Sequence, residues 1–185
     1  GVAMGLAAGL ITIALPSLAT TSGHASMAGW LMAAMGVGAI IGSAWAGARA
    51  RHIAPVLGLR ASVTLFAVFC LPLAVLPMGP WLVAAIVVAW AFIGPAQVFY
   101  LETIDAVRPR GTAVAALGSL WMIEGAAAAV GNTLGGVISA GPGARWALAM
   151  ASVVVFVSPA LFSLGIRSVL APAALTPVEP EPART

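Results

Sequence analysis

Charge is what this sequence has least of. Only 7% of its 185 residues are Asp, Glu, Lys or Arg, against 62% hydrophobic, and the mean hydropathy is +1.09. A soluble domain carries roughly 25% charged residues, so there are too few here to coat a water-facing globule. A soluble enzyme and a disordered chain are both excluded. Lysine is absent, and the eight arginines are scattered rather than gathered into a stripe, which leaves nucleic-acid binding no electrostatic footing. Cysteine is nearly absent too. The lone Cys70 lies in an apolar run, so neither a disulfide framework nor a dithiol redox pair is available, and it reads as a small buried hydrophobe. His24 and His52 fall in different loops, and no metal or cofactor is expected. No signal peptide is expected ahead of the first apolar run. Because the chain opens on Gly1 within hydrophobic sequence, a further segment upstream is expected.

What is present is a series of apolar runs, and these predict an all-α membrane protein with six transmembrane helices. The runs are Val2–Leu18, Met27–Gly47, Ala61–Pro77, Trp81–Phe99, Thr112–Ile138 and Trp146–Ile166. The last is the clearest, since Arg145 and Arg167 bracket 21 uncharged residues, enough to cross a ~30 Å hydrocarbon core. Residues 1–168 form the expected bundle. Residues 169–185, rich in Pro, Ala and Glu from Ala171 onward, are expected to be a disordered cytoplasmic tail.

The arginines predict orientation. Arg49, Arg51, Arg60, Arg108, Arg110 and Arg167 fall on one side of the six runs, and Arg145 alone falls on the other. Cytoplasmic loops carry the excess of Lys and Arg, so both ends of the segment are expected in the cytoplasm. Trp30, Trp81 and Trp146 open the second, fourth and sixth runs on the opposite side, where interfacial tryptophan belongs. The lipid bilayer is the expected surrounding partner.

Three GxxxG pairs lie within the runs: Gly5/Gly9, Gly38/Gly42 and Gly131/Gly135. Four residues make slightly more than one helical turn, so each pair is a flat strip that lets two backbones approach, the main source of association inside lipid. The second and fifth runs also resemble one another. Gly38-Ala-Ile-Ile-Gly42 leads on to Arg49, and Gly131-Asn-Thr-Leu-Gly135 leads on to Arg145. They are the second members of two successive triplets and cross in opposite directions, as a three-plus-three inverted repeat requires.

The chain resembles the C-terminal six-helix half of a major facilitator superfamily transporter, and most of all the bacterial proton-driven efflux branch. The likeness is carried by Gly36-Val-Gly38-Ala-Ile-Ile-Gly42 running into Ala48-Arg49-Ala50-Arg51, and by Gly94-Pro95. Pro109-Arg110-Gly111-Thr112-Ala113 and the stretch from Gly125 to Gly136 complete it. The resemblance implies half of a twelve-helix secondary transporter in the cell inner membrane, exporting a small organic solute by alternating access. It also implies a missing N-terminal six-helix half, or a second copy, faced by the glycine strips of the second and fifth helices. The family's acidic signature loop is only echoed by Arg49 and Arg51, as suits a C-terminal half.

Glu124 is the only charge well inside any run. It lies 12 residues beyond Thr112, about 18 Å along a helix that rises ~1.5 Å per residue. A carboxylate at that depth is costly and faces protein or a watery cavity. At ~100° per residue, Ala113, Gly131 and Gly135 fall within roughly 20° of it on the helical wheel. Glu124 is therefore a candidate proton carrier, or else a protonated acid bonded to a neighbouring helix. Trp90, Gln97, Trp121 and Asn132 are candidate cavity contacts for substrate, with core packing the alternative for both tryptophans. Gly94-Pro95 breaks the hydrogen-bond ladder of the fourth helix. Tyr100, Glu102 and Asp105 follow it, so its inner end reads as a gate that closes by pairing Glu102 or Asp105 with Arg49 or Arg51. Ordinary solvated loop charges are the alternative.

Two other classes compete. A self-contained six-helix protein, such as the substrate-capture component of a vitamin importer, needs long outer loops over a ligand pocket, and the outer loops here are short. An intramembrane protease needs a buried Ser and His in reach of one another, but both histidines lie in loops. No enzymatic activity is expected.

Overall fold

A computed structural model describes residues 1–49, 52–107 and 111–173. Among these residues all regular structure is helical. The elements are α1 (Val2–Thr21), α2 (Met27–Arg49), α3 (Pro55–Cys70), α4 (Pro80–Val107), α5 (Ala113–Ile138) and α6 (Ala144–Ala173). A 3₁₀ turn, Leu71–Ala74, extends α3, and a π turn, Ser139–Gly143, joins α5 to α6. Among the described residues five helical stretches are long and apolar enough to cross a membrane. The last, Ala113–Pro159, is 47 residues long and takes in both α5 and the start of α6.

Local sequence explains several boundaries. The expectation began the third helix at Ala61, but α3 starts at Pro55. Proline suits the first helical turn, because the N–H it lacks has no intrahelical partner there. At the far end of α1 the hydroxyls of Thr20 and Thr21 both donate to the Ser17 carbonyl, at 2.9 and 2.8 Å, and Gly23 leaves with φ +75°. The fourth helix was expected to stop near Phe99, yet α4 continues two further turns to Val107. Glu102 and Asp105 end the hydrophobic run without ending the helix. The expected tail is also shortened, since α6 is helical through Ala173 and only 174–185 lie outside the described residues. Arg51, Arg108 and Arg110, used above for gate and orientation, also lie outside them.

Close backbone contacts give the directions of packing. Gly5 meets Glu124 and Ala127, while Gly9 meets Ala128 and Gly131. Residue numbers therefore rise together, and α1 and α5 run parallel. Gly38 meets Val87 and Trp90, and Gly42 meets Ala91 and Pro95, so α2 and α4 are parallel as well. Gly58 lies on Phe99, and Phe66 packs edge-on against Trp90 with ring centroids 5.4 Å apart, so α3 runs antiparallel to α4. Ser152 of α6 lies 3.0 Å from the Cys70 carbonyl at the end of α3, and those two helices are antiparallel. The bundle is thus built around two parallel pairs, α1 with α5 and α2 with α4, with α3 and α6 packed beside them.

The core sits around α1, whose Ala7, Leu10, Ile11, Ala14, Leu15 and Leu18 are buried. Leu31, Phe66, Leu82, Ile86, Phe99, Leu148 and Val155 complete it from the other helices. Burial is uneven. Half of the α1 span is buried, against 22% for α2 and 6% for Ala113–Pro159. The outer faces of α2 and α5 carry exposed Trp30, Ile40, Trp45, Trp121, Met122 and Val137.

Candidate functional site

The site is built from three helices that share one depth. Glu124 lies eleven residues inside the start of α5, and Gln97 ten residues inside the end of α4. At ~1.5 Å per residue both are about 15–17 Å from the same end of the bundle. The side chains meet there: Gln97 Nε2 donates to Glu124 Oε1 at 3.2 Å. The backbone carbonyl of Glu124 meanwhile faces Gly5 of α1. The carboxylate thus reaches over the start of α1 and ties the α1/α5 pair to the α2/α4 pair.

Beside this bond a cavity of about 90 Å³ opens between α1, α3, α4 and α6. Arg60, Gln97, Tyr100 and Ser158 supply its polar lining, among apolar neighbours such as Met4 and Val63. In the sequence Arg60 reads only as a mark of orientation. Its place on the first turns of α3, facing α4, was hidden because α3 begins earlier than the hydrophobic run. The Tyr100 hydroxyl points to the start of α1, so that a Cβ on Gly1 would lie 2.7 Å from it.

The other candidates divide. Trp90 is buried in the core against Phe66 and lines neither this cavity nor the larger groove described below. Trp121 and Asn132 are exposed on α5 and are not brought to Gln97. Gly94 and Pro95 face α2. Gly94 packs on Ala39 and Ser43, and Gly42 sets its bare Cα against the Ala91 carbonyl. Pro95, four residues beyond Ala91, cannot donate to that carbonyl, and a Cα–H contact of this kind partly takes its place. Glu102 and Asp105 occupy the last turns of α4, and Arg49 the last turn of α2. Since the two helices are parallel, these groups lie at one end of the bundle. Among the described residues no group of three or more His, Cys, Asp or Glu could hold a metal ion.

Comparison with known proteins finds no match. No family model, curated protein or solved structure matches the chain.

One expectation is corrected. The glycine strips of the second and fifth helices do not face outward to a missing half. Gly38 and Gly42 are buried against α4, while Gly131 and Gly135 are buried against α1, opposite Gly5 and Gly9. The physical reason is that a flat strip is used where two backbones of this chain pack most closely. A different set of glycines lies on the open surfaces: Gly29, Gly36 and Gly47 of α2, and Gly118 and Gly125 of α5. A Cβ added at any of these would meet nothing within 4 Å. None of these five belongs to a GxxxG pair.

Proposed function

We propose that this bundle crosses the membrane six times and forms one half of a facilitator-type secondary transporter in the cell inner membrane, with both ends cytoplasmic. The solute is a small organic molecule, moved outward in exchange for protons by alternating access. The observation that carries this reading is the Gln97–Glu124 hydrogen bond, in which the one carboxylate well inside the apolar helices accepts from a neutral amide. An amide donor lets the group both hold and release a proton. Charged, the carboxylate accepts strongly from Gln97. Neutral, it loses the charge assistance, and the tie between the two parallel pairs weakens. Proton binding then frees the inner part of α4, where Tyr100, Glu102 and Asp105 lie, to move relative to α1 and α5.

Two further features support the half-transporter reading. The cavity of about 90 Å³ has room for roughly three waters, well short of the ~300 Å³ typical of small-molecule sites. A solute therefore needs a second wall. The sparsely buried outer faces of α2 and α5, with their open glycines, offer surface where that wall would pack, whether it is an N-terminal half or a second copy.

The test is transport in vesicles that hold the bundle together with its second wall, as the full-length protein or as a dimer of this chain, with an imposed pH gradient and with radiolabelled alanine, radiolabelled glucose and the fluorescent cation ethidium as probes. Uphill movement of a probe that stops on adding a protonophore supports the reading. Movement no faster than in protein-free vesicles for all three counts against it.

A further inference from the structure

A second and larger concavity lies away from Glu124. α2 and α3 each pack on α4 but have no substantial contact with one another, and the furrow between them is floored by α4. Its volume is about 480 Å³. The walls are almost wholly apolar: Ile41 and Trp45 from α2, Leu57, Ala61 and Leu65 from α3, and Phe92 from the floor. Ile41, Trp45, Leu57 and Leu65 are all exposed, so the furrow opens on the outside of the bundle, where a membrane protein meets lipid.

Its position carries a charge signature. Ile41, Trp45 and Arg49 are spaced four apart and therefore lie along one face of α2. This face runs from the furrow directly to an arginine in the last turn of the helix. Of the described residues, Arg49 and Arg60 lie toward this end of the bundle, together with Glu102 and Asp105. An apolar furrow whose α2 wall leads, one turn beyond the exposed Trp45, to Arg49 on the same helix face, with tryptophan of the kind enriched at membrane interfaces, suits the acyl chain and anionic headgroup of a lipid.

We propose that this furrow holds an acyl chain of an anionic phospholipid from the inner leaflet, with its phosphate drawn to Arg49. Basic sites between helices on the cytoplasmic side recognise such headgroups, and burial of methylenes in the furrow holds the acyl chain. The proposal is separate from the transport reading and needs neither a solute nor Glu124.

The experiment is native mass spectrometry of the purified protein after incubation with an equimolar mixture of phosphatidylglycerol and phosphatidylcholine bearing the same acyl chains. Retained phosphatidylglycerol should exceed phosphatidylcholine by about fivefold, the equivalent of the ~1 kcal/mol that one basic residue contributes at an anionic surface. Arg49→Gln should bring the ratio close to one while keeping retention of both lipids. Ala61→Trp, which fills the furrow from α3, should reduce retention of both. Leu65→Trp does the same one turn deeper, and each variant is scored only at wild-type helical content by circular dichroism. A wild-type ratio of one, a ratio unchanged in Arg49→Gln, or retention undiminished in folded Ala61→Trp or Leu65→Trp overturns the proposal. Retention of phosphatidylcholine alone would also overturn it, identifying a neutral apolar ligand.

Discussion

Gln97 of α4 donates a hydrogen bond to Glu124 of α5 at 3.2 Å, across the start of α1. The two residues are 27 apart in sequence and belong to different helix pairs, so their contact is a joint between halves of the bundle. The chain contains one glutamine, and it meets the one acid well inside a hydrophobic run. Gln97→Leu removes the donor and keeps the apolar bulk. A hydrogen bond to a charged group is worth roughly 1.5–3 kcal/mol, so gradient-driven flux in the vesicle assay should fall by about ten- to a hundredfold. Gln97→Asn, which retains the amide on a shorter stem, should recover part of that loss. An unchanged flux in Gln97→Leu would separate Gln97 from coupling.

The glycines supply a paired prediction on stability. A Cβ at Gly9 would run into the carbonyl of Ala128, and one at Gly42 into that of Ala91, whereas Gly125 faces open space. Overpacking of a close contact costs about 1–3 kcal/mol, which corresponds to a drop of roughly 2–12 °C in melting temperature for a chain of this size. Gly9→Val and Gly42→Val should melt lower by amounts in that range in detergent, while Gly125→Ala should melt at or above wild type. Equal melting temperatures for Gly9→Val and Gly125→Ala would contradict the parallel α1/α5 packing.

Arg145 does more than mark a side of the membrane. Its Nη1 donates to the carbonyls of Ala74 and Leu76, each at 3.0 Å, closing the end of the 3₁₀ turn that extends α3. Arg145→Gln should lower the melting temperature by roughly 2–4 °C, the shift expected for a net ~1 kcal/mol contact, and leave transport intact. A scan by differential fluorimetry together with the vesicle assay checks both parts.

The helices were legible because hydrophobic runs are local. α1, α2 and α5 begin within one residue of where the apolar sequence places them. α3 and α4 extend past their runs because helix hydrogen bonding continues through polar residues such as Arg60, Glu102 and Asp105. Which face of a glycine-rich helix turns inward was not legible. GxxxG spacing marks a strip where backbones can meet but not the backbone it meets, and α1, which receives the α5 strip, lies more than a hundred residues away in sequence. Glu124 could be singled out from its charge alone, yet nothing in the order of residues pairs it with Gln97. That partner follows from α1 and α5 running parallel while α4 lies against α2.

The central claim is that Glu124 couples proton movement to solute movement, and Glu124→Gln tests it most directly. Glutamine keeps the shape and can still hydrogen-bond to Gln97, but it cannot take up or release a proton. The measurement is gradient-driven flux of alanine, glucose and ethidium in vesicles carrying equal amounts of wild-type and variant protein. The account predicts that the Glu124→Gln flux falls to that of protein-free vesicles while helical content stays at the wild-type value and the melting temperature falls by only about 2–4 °C, the shift expected for losing ~1 kcal/mol of charge assistance. Wild-type flux in a folded Glu124→Gln protein would contradict it.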